Sequence, residues 1–233
     1  MRDTRKSTVY FDERFEDLTE EIDDLINDHA SGENTVEQIN MLLVSLFNSK
    51  LRQLVVAYSQ GKSKTDLVGL YQEYLDFFNA YDYEIYNSYV KNLWIACLGY
   101  LLDIDPNRMM NFKEKILASK FNDYLISTVL NQIFGDVGIM SNFFMPDPYS
   151  KLEPILQLGA SSDPISIKNY LERDWYQGHA GLFWHDTHMR KRTYLGYWSF
   201  ETAALVRMFG LDDSDLIGVD YYPSDLASMG QIS

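Results

Sequence analysis

The spacing of apolar residues constrains the fold of this chain more than any other feature of its sequence. From about Tyr10 to Ala30, apolar side chains recur every three or four residues, which places them on one face of an α-helix. No segment alternates apolar and polar residues in a sustained run between hairpin turns. The sequence therefore predicts an all-α protein, a multi-helix bundle of about 8–10 helices with no significant sheet. The apolar series of the first segment is Phe11, Phe15, Leu18, Ile22, Leu25 and Ile26.

Three further amphipathic segments follow, with short loops between them. Thr35 has the properties of an N-cap, with Gln38 at the capping-box position, so a mostly apolar helix is predicted to begin there and to end near Gln60. The next helices are predicted at about 65–81 and 84–102. Successive helices joined by short loops favour an antiparallel bundle of these first four helices.

Shorter helices are predicted in the rest of the chain. Asp105-Pro106 starts one of them, with the proline in the first helical turn, and Asp163-Pro164 supplies an N-cap residue followed by a first-turn proline for another. With 233 residues the chain is long enough for one large domain or two small, closely packed ones. We expect two helical halves: residues 1–118, which include the acidic first helix, and residues 119–233.

The chain is strongly acidic, with a formal net charge of −14. This charge repels nucleic acid and anionic lipid and attracts basic partners, so we expect no binding to nucleic acid or to a membrane. On the predicted first helix only Arg14 balances the acidic residues. Like charges four positions apart destabilise a helix, so packing of the apolar face must compensate. These acidic residues are Asp12, Glu13, Glu16, Asp17, Glu20, Glu21, Asp23, Asp24 and Asp28.

Two interpretations of this acidic face stay open. It is either a solvated surface that serves solubility or a docking surface for a basic partner. A smaller acidic group near the C-terminus is the second choice for a docking surface: Asp212, Asp213 and Asp215. This group resembles half of a calcium-binding loop but lacks the glycine and the terminal glutamate, so a helix stop followed by a cap is the better interpretation.

One cysteine, Cys97, lies in an apolar segment and cannot form an internal disulfide. We expect an inert core residue, which agrees with a reducing compartment. No stretch approaches the roughly 18 uninterrupted apolar residues that span a bilayer, and the charged N-terminus leads into acidic sequence rather than into an apolar signal segment. The expected location is the cytoplasm.

Three of the four histidines lie in one aromatic-rich segment that begins at Trp175. His179, His185 and His188, together with Asp186, could ligate zinc or iron, so a metal-dependent hydrolase is one alternative. Their spacing matches no familiar metal-site signature. The many aromatic residues favour a hydrogen-bonded core network instead. We therefore predict no catalytic residue, no metal and no cofactor.

Three ordered blocks near the C-terminus carry a family resemblance. They are residues 194–205 (YLGYWSFETAAL), 210–214 (GLDDS) and 221–226 (YYPSDL), preceded by WHDTH at 184–188. They resemble the PoNi type of bacterial immunity proteins, which are polymorphic nuclease immunity proteins built from two adjacent domains. The resemblance covers about residues 163–226, and in the N-terminal half it rests on length, helicity and position. The residues of this signature are Trp184, His185, His188, Tyr197, Trp198, Glu201, Tyr222, Pro223 and Asp225.

The resemblance implies an all-α cytoplasmic protein that binds and neutralises a secreted DNase toxin without being an enzyme. The signature residues are expected to be architectural. Glu201 lies on an apolar helix, where a bare buried charge is costly, so we expect it to be paired or hydrogen-bonded. The candidate partners are His185, His188, Arg190 and Arg192.

The acidic residues are then the candidate toxin-binding surface. A DNase holds phosphates in a basic groove, and an acidic protein can occupy that groove and exclude DNA. The alternatives are the metal-dependent hydrolase and a helical scaffold for another basic protein. A homodimer is also considered, with a tyrosine group at its interface, although core packing would account for the same residues: Tyr81, Tyr83, Tyr86 and Tyr89.

Overall fold

The computed structural model describes residues 1–32, 34–81 and 84–228. Within these ranges the chain is helical and contains no β-strand, which confirms the predicted all-α fold. Shorter 3₁₀ turns lie at Pro106–Met109, Ser150–Leu152, Gly159–Ser161 and Thr187–Met189, and Tyr170–Trp175 is a π-helical stretch. The α-helices are α1 (Thr8–Ala30), α2 (Val36–Gln60), α3 (Lys64–Ala80), α4 (Tyr89–Leu101), α5 (Met110–Leu117), α6 (Tyr124–Phe134), α7 (Pro146–Tyr149), α8 (Glu153–Leu158), α9 (Ile165–Asn169), α10 (Tyr176–Gly178), α11 (Phe200–Phe209) and α12 (Ser224–Ser228).

Local side-chain caps fix where α2 and α3 begin. The Thr35 hydroxyl accepts a hydrogen bond from the Gln38 backbone N–H, and the Gln38 side chain accepts one from the Thr35 N–H at 2.8 Å. Ser63 and Asp66 form the same capping box at the start of α3. The cap predicted at Thr35 is therefore confirmed.

The first of two compact units consists of residues 1–83 and 186–197. In this unit α1 packs along α2, and α2 packs along α3. The ring of Phe47 meets the rings of Tyr74 and Phe78 edge-on, at centroid distances of 5.6 and 6.2 Å. These buried aromatic contacts join α2 to α3.

A strip from late in the sequence, residues 186–197, belongs to this first unit. The Tyr10 hydroxyl of α1 donates to the Tyr194 carbonyl at 3.0 Å and accepts from the Tyr194 N–H at 2.9 Å. The Ser59 hydroxyl of α2 donates to the Leu195 carbonyl at 2.6 Å. The strip is thus hydrogen-bonded to residues that precede it by 184 and 136 positions.

The second unit consists of residues 84–185 and 198–233. Every residue of α4 except Lys91 and Tyr100 is buried, and α4 packs against α6 and α11. The expected bundle of α1 to α4 is therefore wrong for α4. A helix that is apolar on nearly every side needs neighbours on several sides, and α6 and α11 supply them.

α4 also begins later than predicted, at Tyr89 rather than near Glu84. The Asn92 side-chain amide donates to the Tyr86 carbonyl at 2.8 Å inside the core. The Tyr86 carbonyl thus accepts from a side chain, and the backbone of Ser88 is extended, so the helix begins only after Ser88. Tyr86 is buried, as the sequence predicted, although it lies outside the helix.

Each compact unit is built from two separate segments of the chain, so no single position divides the two units. The boundary expected between residues 118 and 119 stays a prediction. Among the tyrosines considered for a dimer interface, Tyr83 lies outside the described residues, while Tyr86 and Tyr89 are buried. None of the helices in the described ranges has the length and apolarity needed to cross a membrane.

Candidate partner-binding surface

The acidic face of α1 is exposed along most of its length. The opposite face is buried at Phe11, Leu18 and Ile22. Phe15 and Leu25, which the apolar spacing also placed on the inner face, are only half-buried. Two of the acidic residues, Asp12 and Glu21, are half-buried, and the others are exposed: Glu13, Glu16, Asp17, Glu20, Asp23, Asp24 and Asp28.

The acidic side chains differ in how far the protein itself neutralises them. Asp12 accepts a hydrogen bond from the Gln60 amide, and Glu21 accepts one from the Ser49 hydroxyl at 2.6 Å. Asp17 lies 3.9 Å from the Arg14 guanidinium. Asp23 acts electrostatically on Lys50 of α2. The remaining carboxylates, for which no hydrogen bond, ion pair or such electrostatic partner exists among the described residues, are Glu13, Glu16, Glu20, Asp24 and Asp28. These five carboxylates are called the open acidic face below.

A groove runs beside this face. One depression of about 600 Å³ is lined by α1 residues that include Phe15 and Glu16, and by Gln60 and Lys62. A second, of about 340 Å³, shares Phe15 and Lys62 and reaches Glu73 of α3. The Lys62 ammonium lies 5.3 Å from the centre of the Phe15 ring, within the range of a cation–π contact. The groove therefore joins an aromatic ring to a carboxylate rim.

The second acidic group has a more structural role. The Asp212 carboxylate accepts from the Ser214 backbone N–H at 3.0 Å, and this bond lowers the pKa of Asp212. Asp213 accepts from the Tyr222 hydroxyl at 2.8 Å, so one signature residue is held by one of these carboxylates. Asp212 and Asp215 are exposed, whereas Asp213 is half-buried.

Glu201 is fully buried, and its partners differ from those predicted. Its Oε1 accepts from Trp175 Nε1 and the Ser199 hydroxyl, both at 2.7 Å, and from the Tyr170 hydroxyl at 3.3 Å. Oε2 is a buried atom with no hydrogen-bond partner among the described residues. Burial raises the pKa of this carboxyl, and the three donors oppose that rise. The prediction of a histidine or arginine partner for Glu201 is therefore wrong. The donors lie up to 31 residues away, so no local pattern could identify them.

Around Glu201 the aromatic residues form one packed group. The Trp175 ring stacks on Trp184 at 5.3 Å and on Tyr221 at 4.8 Å. The His179 ring lies 5.1 Å from that of Trp175 and is buried. This is the core network that the sequence favoured for the segment.

The His179 ring is hydrogen-bonded at both nitrogens. Its Nδ1 lies 2.5 Å from the Trp175 carbonyl, and its Nε2 lies 2.9 Å from the Tyr149 hydroxyl. A carbonyl only accepts, so Nδ1 carries the proton and Nε2 accepts from the tyrosine. Burial lowers the pKa of His179 to about 4, so the ring is neutral near pH 7.

The histidines form no metal-binding group among the described residues. His179 and His185 belong to the second unit, and His188 belongs to the first, where its Nδ1 lies 2.8 Å from the Tyr197 hydroxyl. The His185 ring packs on that of Tyr176 at 4.1 Å. Throughout the described ranges, no group of three or more His, Cys, Asp or Glu side chains is placed to hold a metal ion.

The other signature residues are mostly core residues. Trp184, Trp198 and Tyr222 are buried. The Pro223 carbonyl accepts from the Leu226 N–H where α12 begins, and Asp225 in that helix is half-buried. Cys97 is buried, and burial raises the pKa of its thiol well above the usual value.

Two family models match this chain, one in each half. The family model described as "PoNe immunity protein (PoNi), N-terminal" matches residues 2–112, and "PoNe immunity proteins (PoNi), C-terminal" matches residues 121–226. The crystal structure of protein PA2201 from Pseudomonas aeruginosa has the same fold, with a TM-score of 0.72 and 17% identity. That similarity covers 97% of this chain and 89% of the other. No functionally curated protein matches the sequence.

Proposed function

Because the chain belongs to the family of PoNe immunity proteins (PoNi) in both of its halves, we propose that it binds and neutralises a cognate secreted bacterial DNase toxin of the PoNe type. It acts by binding rather than by catalysis, in the cytoplasm of the cell that produces the toxin. The observation that carries the proposal is the match of the two family models, which together extend from residue 2 to residue 226.

The toxin-binding surface in this proposal is the open acidic face of α1. A DNase must hold phosphates with lysines and arginines, so its substrate groove is basic. The open acidic face presents five carboxylates that the described part of the chain leaves without a hydrogen bond or ion pair. An acidic helix placed in a basic groove excludes DNA and brings opposite charges together.

The groove beside α1 supplies the apolar contact that charge alone does not provide. Affinity at protein interfaces comes mainly from a few well-packed anchors, while rim charges act chiefly on the association rate. Phe15 is the aromatic residue shared by both depressions. An arginine or lysine of the toxin would take the place that Lys62 occupies over this ring.

The proposal predicts a stable, inhibitory complex. The test is co-purification with the cognate PoNe domain, followed by a DNA-cleavage assay with and without this protein. Near-stoichiometric inhibition is expected. Binding without inhibition would contradict neutralisation, and the absence of any complex would favour a scaffold for another basic protein.

A charge-reversal variant tests the surface. Glu16→Lys, Glu20→Lys and Asp24→Lys together should lower the association rate constant by about tenfold or more, because electrostatic steering is lost. The measurement is surface plasmon resonance on a catalytically inactive PoNe domain. Unchanged affinity and association rate would remove α1 from the interface.

The matched control changes net charge equally in the second unit. Glu114, Glu153 and Glu172 lie on α5, on α8 and in the π-helical stretch. Replacing all three by Lys should change the association rate much less than the α1 variant does. Equal effects would mean that only net charge matters. Asp212→Lys with Asp215→Lys tests the second acidic group in the same assay.

A further inference from the structure

A small cleft in the first unit is lined by charges of both signs. It has a volume of about 240 Å³ and lies between α1 and the strip 186–197. α1 contributes the carboxylates of Glu13 and Asp17, and the strip contributes Lys191 and Arg192. The remaining lining residues are Tyr10 and Arg14.

The opposite charges of this cleft do not neutralise each other across it. Lys191 and Arg192 are exposed and form no ion pair or hydrogen bond with any residue in the described ranges. Glu13 has no such partner either. Three charges of the cleft, on Glu13, Lys191 and Arg192, are therefore unpaired within the described chain.

Arg14 is the third cation of the cleft, and its side chain is largely buried. Only 12% of its side chain is exposed, and its Nε has no hydrogen-bond acceptor among the described residues. Within the described ranges it pairs with Asp17 at 3.9 Å, and the Glu21 carboxylate also acts on it electrostatically. Arg14 therefore contributes a positive charge to the wall of the cleft, while its Nε is closed to solvent.

The strip that carries Lys191 and Arg192 is held on both sides. Before them, the Arg190 carbonyl accepts from the Lys6 ammonium at 3.2 Å. After them, the Tyr194 backbone is bonded to the Tyr10 hydroxyl, and the Tyr194 hydroxyl donates to the buried Asp3 carboxylate at 2.5 Å. A pre-organised backbone reduces the ordering cost of binding.

We propose that this cleft receives one carboxylate side chain, an aspartate or glutamate, of the partner nuclease. Arg14 and Asp17 form an ion pair with each other, which leaves Lys191 and Arg192 with the single carboxylate of Glu13, so one incoming carboxylate balances the lining. The volume is below that of a drug-sized pocket and suits a single side chain. The net charge of −14 disfavours a nucleic-acid phosphate as the occupant.

This inference rests on the proposed function and makes it more specific. The open acidic face meets cations of the nuclease, while the cleft beside it meets an anion. The matching nuclease surface therefore has an acidic side chain next to its basic groove. Such mixed patterns fix the register of a complex and reject partners with a uniformly basic surface.

The experiment compares three single variants of the strip in their binding to a catalytically inactive form of the cognate PoNe domain. Lys191→Glu and Arg192→Glu should each weaken Kd by about tenfold or more, mainly through faster dissociation. Arg190→Glu is the matched control, because it makes the same charge change in the same strip at a residue that does not line the cleft. It should change Kd by less than about threefold.

A double-mutant cycle then identifies the carboxylate. Arg192→Ala is combined in turn with Ala substitutions of each Asp and Glu of the PoNe domain, and one position should show strong coupling. Equal Kd values for all three strip variants, or no coupled position, would overturn the inference. If the unmodified protein does not bind the PoNe domain at all, the proposed function is wrong and the cleft inference falls with it. Normal binding with insensitive cleft variants overturns the cleft alone.

Discussion

At the scale of single residues, two buried titratable side chains have opposite effects on the pH dependence of stability. Glu201 has a raised pKa because it is buried, so the folded state binds its proton more readily than the unfolded chain does. Its contribution is most favourable below the usual pKa of 4.5 and is lost as pH rises through the folded pKa. His179 has a pKa lowered to about 4, so it opposes folding as pH falls from 6.5 towards 4.

Glu201→Gln should leave stability at pH 7 within about 1 kcal/mol of the original, because the amide oxygen can still accept from Trp175 and Ser199 while the buried charge is removed. It should also flatten the pH dependence above pH 4.5. Urea unfolding at several pH values measures both effects. Glu201→Leu leaves the donors unpaired and should cost about 3 kcal/mol or more. An unchanged pH slope in the Gln variant would show that Glu201 does not titrate as described.

Removal of the His179 imidazole should remove part of the acid sensitivity. With a folded pKa of about 4 against 6.5 in the unfolded chain, the original protein loses about 2–3 kcal/mol between pH 7 and pH 4.5 from this residue. His179→Gln should lose correspondingly less over this range, whatever its stability at pH 7. Glu201→Gln is the control, since it should retain the His179 contribution. Identical acid losses in both variants would contradict the role of His179.

At the scale of elements, hydrogen bonds attach the strip 186–197 to α1 and α2. One hydroxyl, that of Tyr10, serves both the N–H and the carbonyl of Tyr194. Tyr10→Phe should cost about 1–3 kcal/mol, because both backbone groups lose their partner. It should also speed hydrogen exchange at the Tyr194 amide.

The control for this change is Tyr124→Phe, which removes a half-buried hydroxyl that has no side-chain hydrogen bond among the described residues. It should change the free energy of unfolding by less than about 0.5 kcal/mol. If both variants behave alike, the Tyr10 bridge does not hold the strip.

The sequence predicted those elements whose cause is local. The Thr35–Gln38 box and the α1 periodicity involve residues three or four positions apart. The box was found as predicted, and α1 was found as a helix whose inner face is buried at Phe11, Leu18 and Ile22. The start of α4 depends on the contact from Asn92 to the Tyr86 carbonyl, and the Glu201 donors come from residues up to 31 positions away. The cleft pairs α1 with residues about 180 positions later. Such long-range contacts leave no periodic trace in a single sequence.

At the scale of the whole molecule, the net charge of −14 governs how the protein meets a basic partner. Association with the PoNe domain should slow by about tenfold or more between low and high ionic strength, while dissociation changes little. Stopped-flow fluorescence over a salt series measures this. The variant with α1 charges reversed at Glu16, Glu20 and Asp24 should show a flatter dependence. A salt-independent association rate would contradict electrostatic steering.

The strip 186–197 also bears on how such a protein can diversify. It lies in the region matched by the C-terminal family model, yet it completes a compact unit built mainly from the N-terminal region. Recombination between two homologous genes near the middle of the chain would join an α1 from one parent to a Lys191–Arg192 strip from the other. The two regions are therefore expected to be inherited together, and new specificities would arise by point substitution more readily than by exchange of halves.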